Sequence, residues 1–338
     1  MFIFGLHVNQ PQAKDQWISA WVHIKKESVL KDCHLVVSSQ KFVCLNDLLL
    51  FFGWCVKLIK MEKRKLIANF ALLFAAMMWG GSYAVQSIMS RSISTFTTIF
   101  LKSCGGILLI LMCFINKKKL TKKTIYAGVL TGLVNCDGLI LQQIGIANTT
   151  VSKSSFISGL YVVFVPILGL FTRKKPKPRF WFAIIIAFFG MYMLCMQGNE
   201  SLGFGDLITL SSIIFFALQI IFIDKYGSEL DAFSYCAVQQ VTTATVSGIL
   251  AFAIERPQLS NFSGMLLPIL YVVFCSGMVG QLLQNKYQKD VEPTLASLIM
   301  SLESVFGALG GWLLLNQTLT GRELIGCALM FIAILIAE

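Results

Sequence analysis

The alternation of apolar and polar positions changes character near residue 60. From Leu66 onward, long apolar stretches follow one another with only short polar breaks. Each is close to the ~20 residues a helix needs to cross the hydrocarbon core of a bilayer. The pattern predicts spanning helices over 66–89, 94–115, 124–147, 150–172, 180–197, 207–224, 232–254, 264–286, 292–315 and 321–337. The fold class expected is therefore an all-α polytopic membrane protein of about ten transmembrane helices, with no length left for a soluble catalytic domain. Residues 1–60 read differently. They are mixed, and their one compact apolar run, Leu48 to Val56, is too short to span. They also lack the basic-then-apolar order and small-residue cleavage site of a secretory signal. Met61-Glu62-Lys63-Arg64-Lys65 leading into Leu66 reads as an ordinary cytoplasmic start. Residues 1–60 are thus expected to be an N-terminal extension from a mis-assigned start, with a real amphipathic extension as the alternative.

The predicted helices fall into two sets of five that resemble each other. Ser155, Ile157, Leu160, Val163, Phe164 and Gly169 recur at a constant offset as Ser297, Ile299, Leu302, Val305, Phe306 and Gly311. Five is odd, so two such units joined end to end must sit upside down relative to each other, the inverted-repeat plan of many secondary transporters. The division expected is a first repeat over 61–197, an extracytoplasmic loop over 198–206 and a second repeat over 207–338.

Charge refines this picture. The chain carries a net charge of +11, and the charge sits in short blocks between helices: Lys63 to Lys65, Lys117 to Lys123, and Arg173 to Arg179. Short basic loops are cytoplasmic under the positive-inside rule. Both termini are then cytoplasmic, in an inner or plasma membrane, and the acidic turn with Glu200 and Asp206 lies outside; Arg91, Arg256 and Arg322 dissent mildly. No aromatic-interleaved groove or soluble fold accompanies the basic blocks, so nucleic-acid binding is not expected. Composition agrees, with 56% apolar residues, 13% charged residues and a mean hydropathy of +0.73. The ten cysteines are scattered with no C-x-x-C pair, and His7, His23 and His34 all lie in the first sixty residues. Neither a Ser-His-Asp arrangement nor a His-based metal site can form in the membrane part, so an enzyme, a cofactor and a metal are not expected.

Certain residues carry a family resemblance. The stretch from Thr149 to Pro166, TTVSKSSFISGLYVVFVP, resembles the fourth-helix signature of EamA-type transporters in the drug/metabolite transporter superfamily. Ser301-Leu302-Glu303-Ser304-Val305-Phe306 through Gly311-Trp312 to Gly326-Cys327-Ala328-Leu329 resembles the closing helices of that family, and Trp79-Gly80-Gly81-Ser82 resembles its first. The resemblance spans nearly all of 61–338. It implies ten helices, two inverted repeats, both termini cytoplasmic, and export or exchange of small organic solutes through a central cavity. The chain departs from the family pattern at Ser304, where Pro is usual, at Asn316-Gln317, where Gly-Glu is frequent, and at Ala183 and Ala333, where Gly is common.

Ionisable groups at mid-membrane are costly, so those that remain face a cavity, a partner or a pathway. Asp137, beside Asn135 and ahead of Gln142 and Gln143, and Glu303 are the candidates for coupling or solute contact; a carboxyl that only joins two helices is the alternative reading of each. Lys102 is expected to snorkel to the interface. Ser154, Ser158 and Tyr161 form one polar stripe on the fourth helix, and Ser297, Ser301 and Ser304 repeat that spacing on the ninth. Such stripes line a cavity or bond a neighbouring helix. Trp79, Ser82 and Tyr83 on the first helix, and Phe216 with Gln219 on the sixth, are candidates for aromatic walls and hydrogen bonds. No G-x-x-x-x-G-K-[ST] loop occurs, so transport would draw on a gradient or on exchange. The expected partners are the bilayer and a small-molecule solute such as an amino acid or a drug, and a homodimer stays open. Rival readings are a non-transporting accessory or sensor protein, whose interior would be close-packed, and an intramembrane enzyme on lipid-linked substrates, which would need clustered His or carboxylates.

Overall fold

A computed structural model of the chain describes residues 63–116, 120–170, 177–195, 203–315 and 320–337. The expectations for residues 1–60, for Lys117 to Lys119, for Arg173 to Lys175, for Glu200 and for Asn316-Gln317 lie outside the described residues, and the described helices all belong to the unit Glu62–Glu338.

The elements are helical, with no strand among the described residues. They run as α1, Lys63–Met89; α2, Thr95–Ile115, bent at Cys104; α3, Lys122–Asn148; α4, Val151–Leu170; and α5, Pro178–Cys195. Then come α6, Phe204–Gly227; α7, Ala232–Glu255, whose last turn is a π-helix; α8, Leu266–Asp290, with a π-helical stretch at Tyr271–Gly280; α9, in the two pieces Pro293–Met300 and Glu303–Leu315; and α10, Gly321–Ala337. Eight of these, α1 to α4 and α6 to α9, are long and apolar enough to cross a membrane, and α5 holds a shorter apolar stretch, Pro178–Met193. The expected polytopic all-α class is thus what the chain forms.

Short connections end in capping residues. Thr121 Oγ1 accepts from Thr124 N at 3.1 Å, Thr150 Oγ1 from Lys153 N at 3.2 Å, and Asp231 Oδ2 from Ser234 N at 2.9 Å, each satisfying an orphan amide at a helix start. The start of α2 is capped from a distance: the Glu255 carboxylate, at the end of α7, accepts from Phe96 N and Thr97 N, each at 2.8 Å.

Polarity is distributed in the reverse of a soluble globule. Phe70, Phe114, Ile115, Tyr126, Leu267 and Leu313 are exposed, while Gln86, Gln143, Gln239, Gln284, Asn285 and Gln288 are buried. Apolar side chains face lipid and most of these amides bond to one another or to backbone inside, because hydrocarbon offers a polar group no hydrogen bond; Gln143 is the exception, both atoms of its amide lacking a partner among the described residues. Helices meet through small residues. At Gly80 of α1, an added Cβ would lie 2.6 Å from Glu303 O and 2.9 Å from Gly307 N of α9, and against Phe306 Cβ. Ala183 of α5 and Ala333 of α10 are fully buried, and that helix pair also meets at glycine, an added Cβ at Gly190 lying 2.8 Å from Gly326 O.

Neighbours recur in pairs. α3 packs on α6 and α1 on α8; α1 on α9 and α4 on α6; α3 on α7 and α2 on α8; while α2 meets α7, α4 meets α9 and α5 meets α10. Each contact maps onto another, or onto itself, when α1 to α5 are exchanged with α6 to α10. The fourth member of each set is also broken at matching positions. α4 leaves regular helix at Leu160 and α9 at Ser301 and Leu302, and Leu160 and Leu302 are related by the constant offset of the sequence repeat. Tyr161 and Glu303 are the next residues, one on each side of that match. The absence of proline at Ser304 does not straighten α9. Ser297, Ser301 and Ser304 each donate a hydroxyl hydrogen bond of 2.8 Å to the carbonyl three residues back, a competition that bends helices.

On one side of the α4 and α9 crossing lies an apolar core of Phe156, Ile157 and Val162 with Phe180, Ile184 and Met191 of α5, Leu298, Leu302 and Val305 of α9, and Met330 of α10. The other side is left to α1, α2, α3, α6, α7 and α8, which surround a cavity.

Candidate solute cavity

The cavity has about 610 Å³ of space not filled by atoms, part of it open to the outside. Seven of the residues singled out from sequence line it: Trp79, Ser82, Tyr83, Gln142, Tyr161, Gln219 and Glu303. Phe216 and Asn135 do so as well.

Three candidates do not. Asp137 is exposed on the outward face of α3, in line with Tyr126, Val129 and Leu133. Asn135, Leu139 and Gln142 turn inward, and at 3.6 residues per turn Asp137 points about 200° away from the first two. Ser158 stands behind the lining, where it accepts from Gln142 Nε2 at 3.1 Å. Ser154 is fully buried, and its hydroxyl has no hydrogen-bond partner among the described residues. Of the α4 stripe only Tyr161 reaches the cavity. The matching serines of α9 are spent on their own backbone.

Glu303 holds the centre. It is 5% exposed, and the phenol hydroxyls of Tyr161 and Tyr83 are its hydrogen-bonding partners. Gln142 Nε2 donates to Tyr83 Oη at 2.8 Å, which leaves the Tyr83 hydroxyl proton available to another acceptor. Tyr161 is fixed from its other side by an edge-on contact with Phe216, the ring centroids 6.5 Å apart. Trp79 is held by donation from Nε1 to Ser276 O at 3.0 Å, and Gln240 Nε2 donates to Gly277 O at 2.5 Å. Both carbonyls belong to the π-helical stretch of α8. Such bulges recur at functional sites because they re-aim backbone groups.

Lys102 departs from its expected snorkelling. It is 6% exposed and lines the cavity, because α2 is wedged at this level: an added Cβ at Gly277 would strike the Lys102 carbonyl, and one at Gly106 would lie 2.5 Å from Gln240 Cβ. The stem is thereby directed inward. Glu303 is the charge that acts on the Lys102 ammonium, which makes no direct hydrogen bond or ion pair among the described residues.

Gln281 and Gln284 of α8 line the remaining wall and belong to an array of amides, reaching behind the lining, that the sequence patterns did not single out. Gln281 Nε2 donates to Gln284 Oε1 at 3.1 Å, Gln284 Nε2 to Gln288 Oε1 at 2.9 Å, and Gln288 Nε2 to Ile220 O at 2.7 Å, while Asn285 Nδ2 reaches Gln239 Oε1 at 3.0 Å. The signal was present as amides at 281, 284, 285 and 288 in an otherwise apolar span. The cavity thus combines one ammonium, one carboxylate, phenol and indole donors, and amides that donate or accept. Such a set of groups can hydrogen-bond and charge-pair a polar molecule.

The model of a family described as the EamA-like transporter family matches residues 66–196 and 203–337. A protein of Archaeoglobus fulgidus named only as an uncharacterized transporter is 26% identical over 280 residues, 81% of this chain and 87% of that protein. A solved crystal structure of a protein superposes with a TM-score of 0.67 at 13% identity, over 80% of this chain and 96% of the other. At that identity the likeness shows a shared fold.

Proposed function

Since the chain belongs to the EamA-like transporter family, and is thereby a multi-pass membrane transporter of the drug/metabolite kind, we propose that it carries a small organic solute by alternating access, as a secondary transporter. The observation that carries this reading is the cavity itself: Lys102, Glu303 and a wall of amides meet at the level where α4 and α9 break, inside a shell of lipid-facing apolar residues. A non-transporting accessory protein would have filled that space with Leu and Phe.

Ten crossings in two inverted five-helix repeats are the plan that best accounts for the packing. The exchange of α1 to α5 with α6 to α10 preserves the contacts, and the breaks at Leu160 and Leu302 share the sequence offset. On this plan matching ion pairs lie toward the two membrane faces, at the starts of α6 and α1. At one end Asp206, at the start of α6, meets Lys153 Nζ of α4 at 3.7 Å and accepts from Thr149 Oγ1 at 2.5 Å. At the other, Arg64 at the start of α1 meets Asp290, before α9, at 2.7 Å. Each pair ties the first helix of one repeat to the junction of the third and fourth helices of the other. The first pair is buried; the second is largely exposed on its Arg64 side, so it is screened by water and weak. The side tied by Arg64 and Asp290 is then the easier to open. Rocking of the repeats about the α4 and α9 crossing would break one pair while the other holds.

The test is solute flux in proteoliposomes across a metabolite panel, with and without a proton gradient. Saturable flux of one chemical class is expected. A folded, reconstituted protein that moves nothing in the panel under either condition overturns the reading.

A further inference from the structure

We propose that Lys102 and Glu303 are the two poles of a zwitterion site, Lys102 receiving the carboxylate and Glu303 the ammonium of one small solute. This rests on the transporter reading and names the solute class it leaves open. Four observations carry it. Lys102 is more than nine-tenths buried and lines the cavity, and its ammonium has no direct hydrogen bond or ion pair among the described residues. A buried cation without a partner is costly, so the anionic group it lacks is the one the cavity's occupant brings. Glu303 shares the same cavity without contacting Lys102 directly, so each pole keeps an open side. The phenols of Tyr83 and Tyr161 occupy part of the carboxylate, which has about four acceptor sites and so retains capacity for an ammonium.

The walls suit the same class. Tyr83 and Tyr161 stand at Glu303, Trp79 and Phe216 line the same cavity, and aromatic faces attract cations. Gln240, bonded to the Gly277 carbonyl next to the Lys102 backbone, and Gln281 add amides that can donate to a carboxylate. The poles sum to zero charge. A solute bearing only an amine satisfies Glu303 and leaves Lys102 bare, and a simple carboxylate does the reverse. A zwitterion compensates both, and its side chain is left to the apolar rings.

The experiment uses the full chain in detergent and in proteoliposomes. Binding of the proteinogenic amino acids, of their decarboxylated amines and of their deaminated acids is read by thermal shift and intrinsic tryptophan fluorescence, and flux by uptake of radiolabelled solute into the proteoliposomes. At least one amino acid is expected to bind about ten-fold or more tightly than its own amine and its own acid, since each fragment strands one buried charge. Lys102→Gln should remove the penalty against the amine, and Glu303→Gln the penalty against the acid, with Lys102→Arg retaining the preference as a control for folding. The proposal is overturned if amines or acids bind best, if no amino acid binds, or if Lys102→Gln leaves the ranking unchanged. Flux of some other class, with no preference for amino acids, sinks the zwitterion site and leaves the transporter standing. Absence of flux for every solute sinks the transporter reading itself.

Discussion

At the scale of single residues, Gly80 and Asp137 show how differently a helix position can be constrained. Gly80 faces backbone atoms of α9 at 2.6 and 2.9 Å, which cannot swing aside as a side-chain end can. Gly80→Ala should therefore destabilise the protein by about 2 kcal/mol or more, in the range of overpacked cores. Gly321→Ala, with nothing within 4 Å of the new Cβ, should be near neutral. Melting in detergent checks the pair, and an unaltered Gly80→Ala curve would contradict the close crossing. Asp137→Asn is expected to leave solute affinity and flux unchanged, because the side chain points away from the cavity. A changed flux would show that the outward face of α3 takes part in transport. The sequence marked Asp137, Glu303 and Lys102 as unusual, yet it could not say which way they point. α3 carries glycine, threonine, asparagine and glutamine around much of its circumference, so no apolar stripe fixes its phase. For Lys102 the deciding contact is with Gly277, far along the chain.

At the scale of elements, the spans were legible almost throughout because twenty apolar residues admit few alternatives in a bilayer. α1, expected from 66, begins at Lys63, and α8, expected over 264–286, runs to Asp290. What sequence could not show were the interruptions. The breaks at Leu160 and Leu302 and the π-helix of α8 fall inside the predicted spans, where helix continues on both sides and tertiary packing selects the irregularity. The stripe of Ser154, Ser158 and Tyr161 was read as one face for the same reason; the break after Ser158 turns only Tyr161 toward the cavity. Elements also carry the latch between α4 and α6. A protein with Lys153→Cys and Asp206→Cys, oxidised to a disulfide across the pair, should lose solute flux and regain it on reduction. Full flux in the cross-linked protein would show that this side of the molecule need not open.

At the scale of the whole molecule, the alternation of helix directions makes a prediction about sides. Lys123 lies in the first turn of α3 and Arg179 in the first turn of α5, and an even number of crossings separates them. Single cysteines at the two positions should react with an impermeant reagent from the same side, and a cysteine at Thr320 from the opposite one. Labelling of 123 and 179 from opposite sides would undo the ten-crossing plan. The division into two similar halves was visible in the offset of six residues, whereas the way α4 and α9 cross, with α5 and α10 behind them and the cavity in front, depends on contacts that no local pattern encodes.

The meeting of Tyr161 with Glu303 has a consequence for ancestry. On the repeat plan these two residues are counterparts, and in an assembly of two identical five-helix chains each would confront its own copy: phenol against phenol, or acid against acid. Neither combination gives a neutral donor facing a charged acceptor. Joining the copies in one polypeptide lets the two positions drift apart, so a lopsided pocket that tells the head of a guest from its tail becomes available only after fusion.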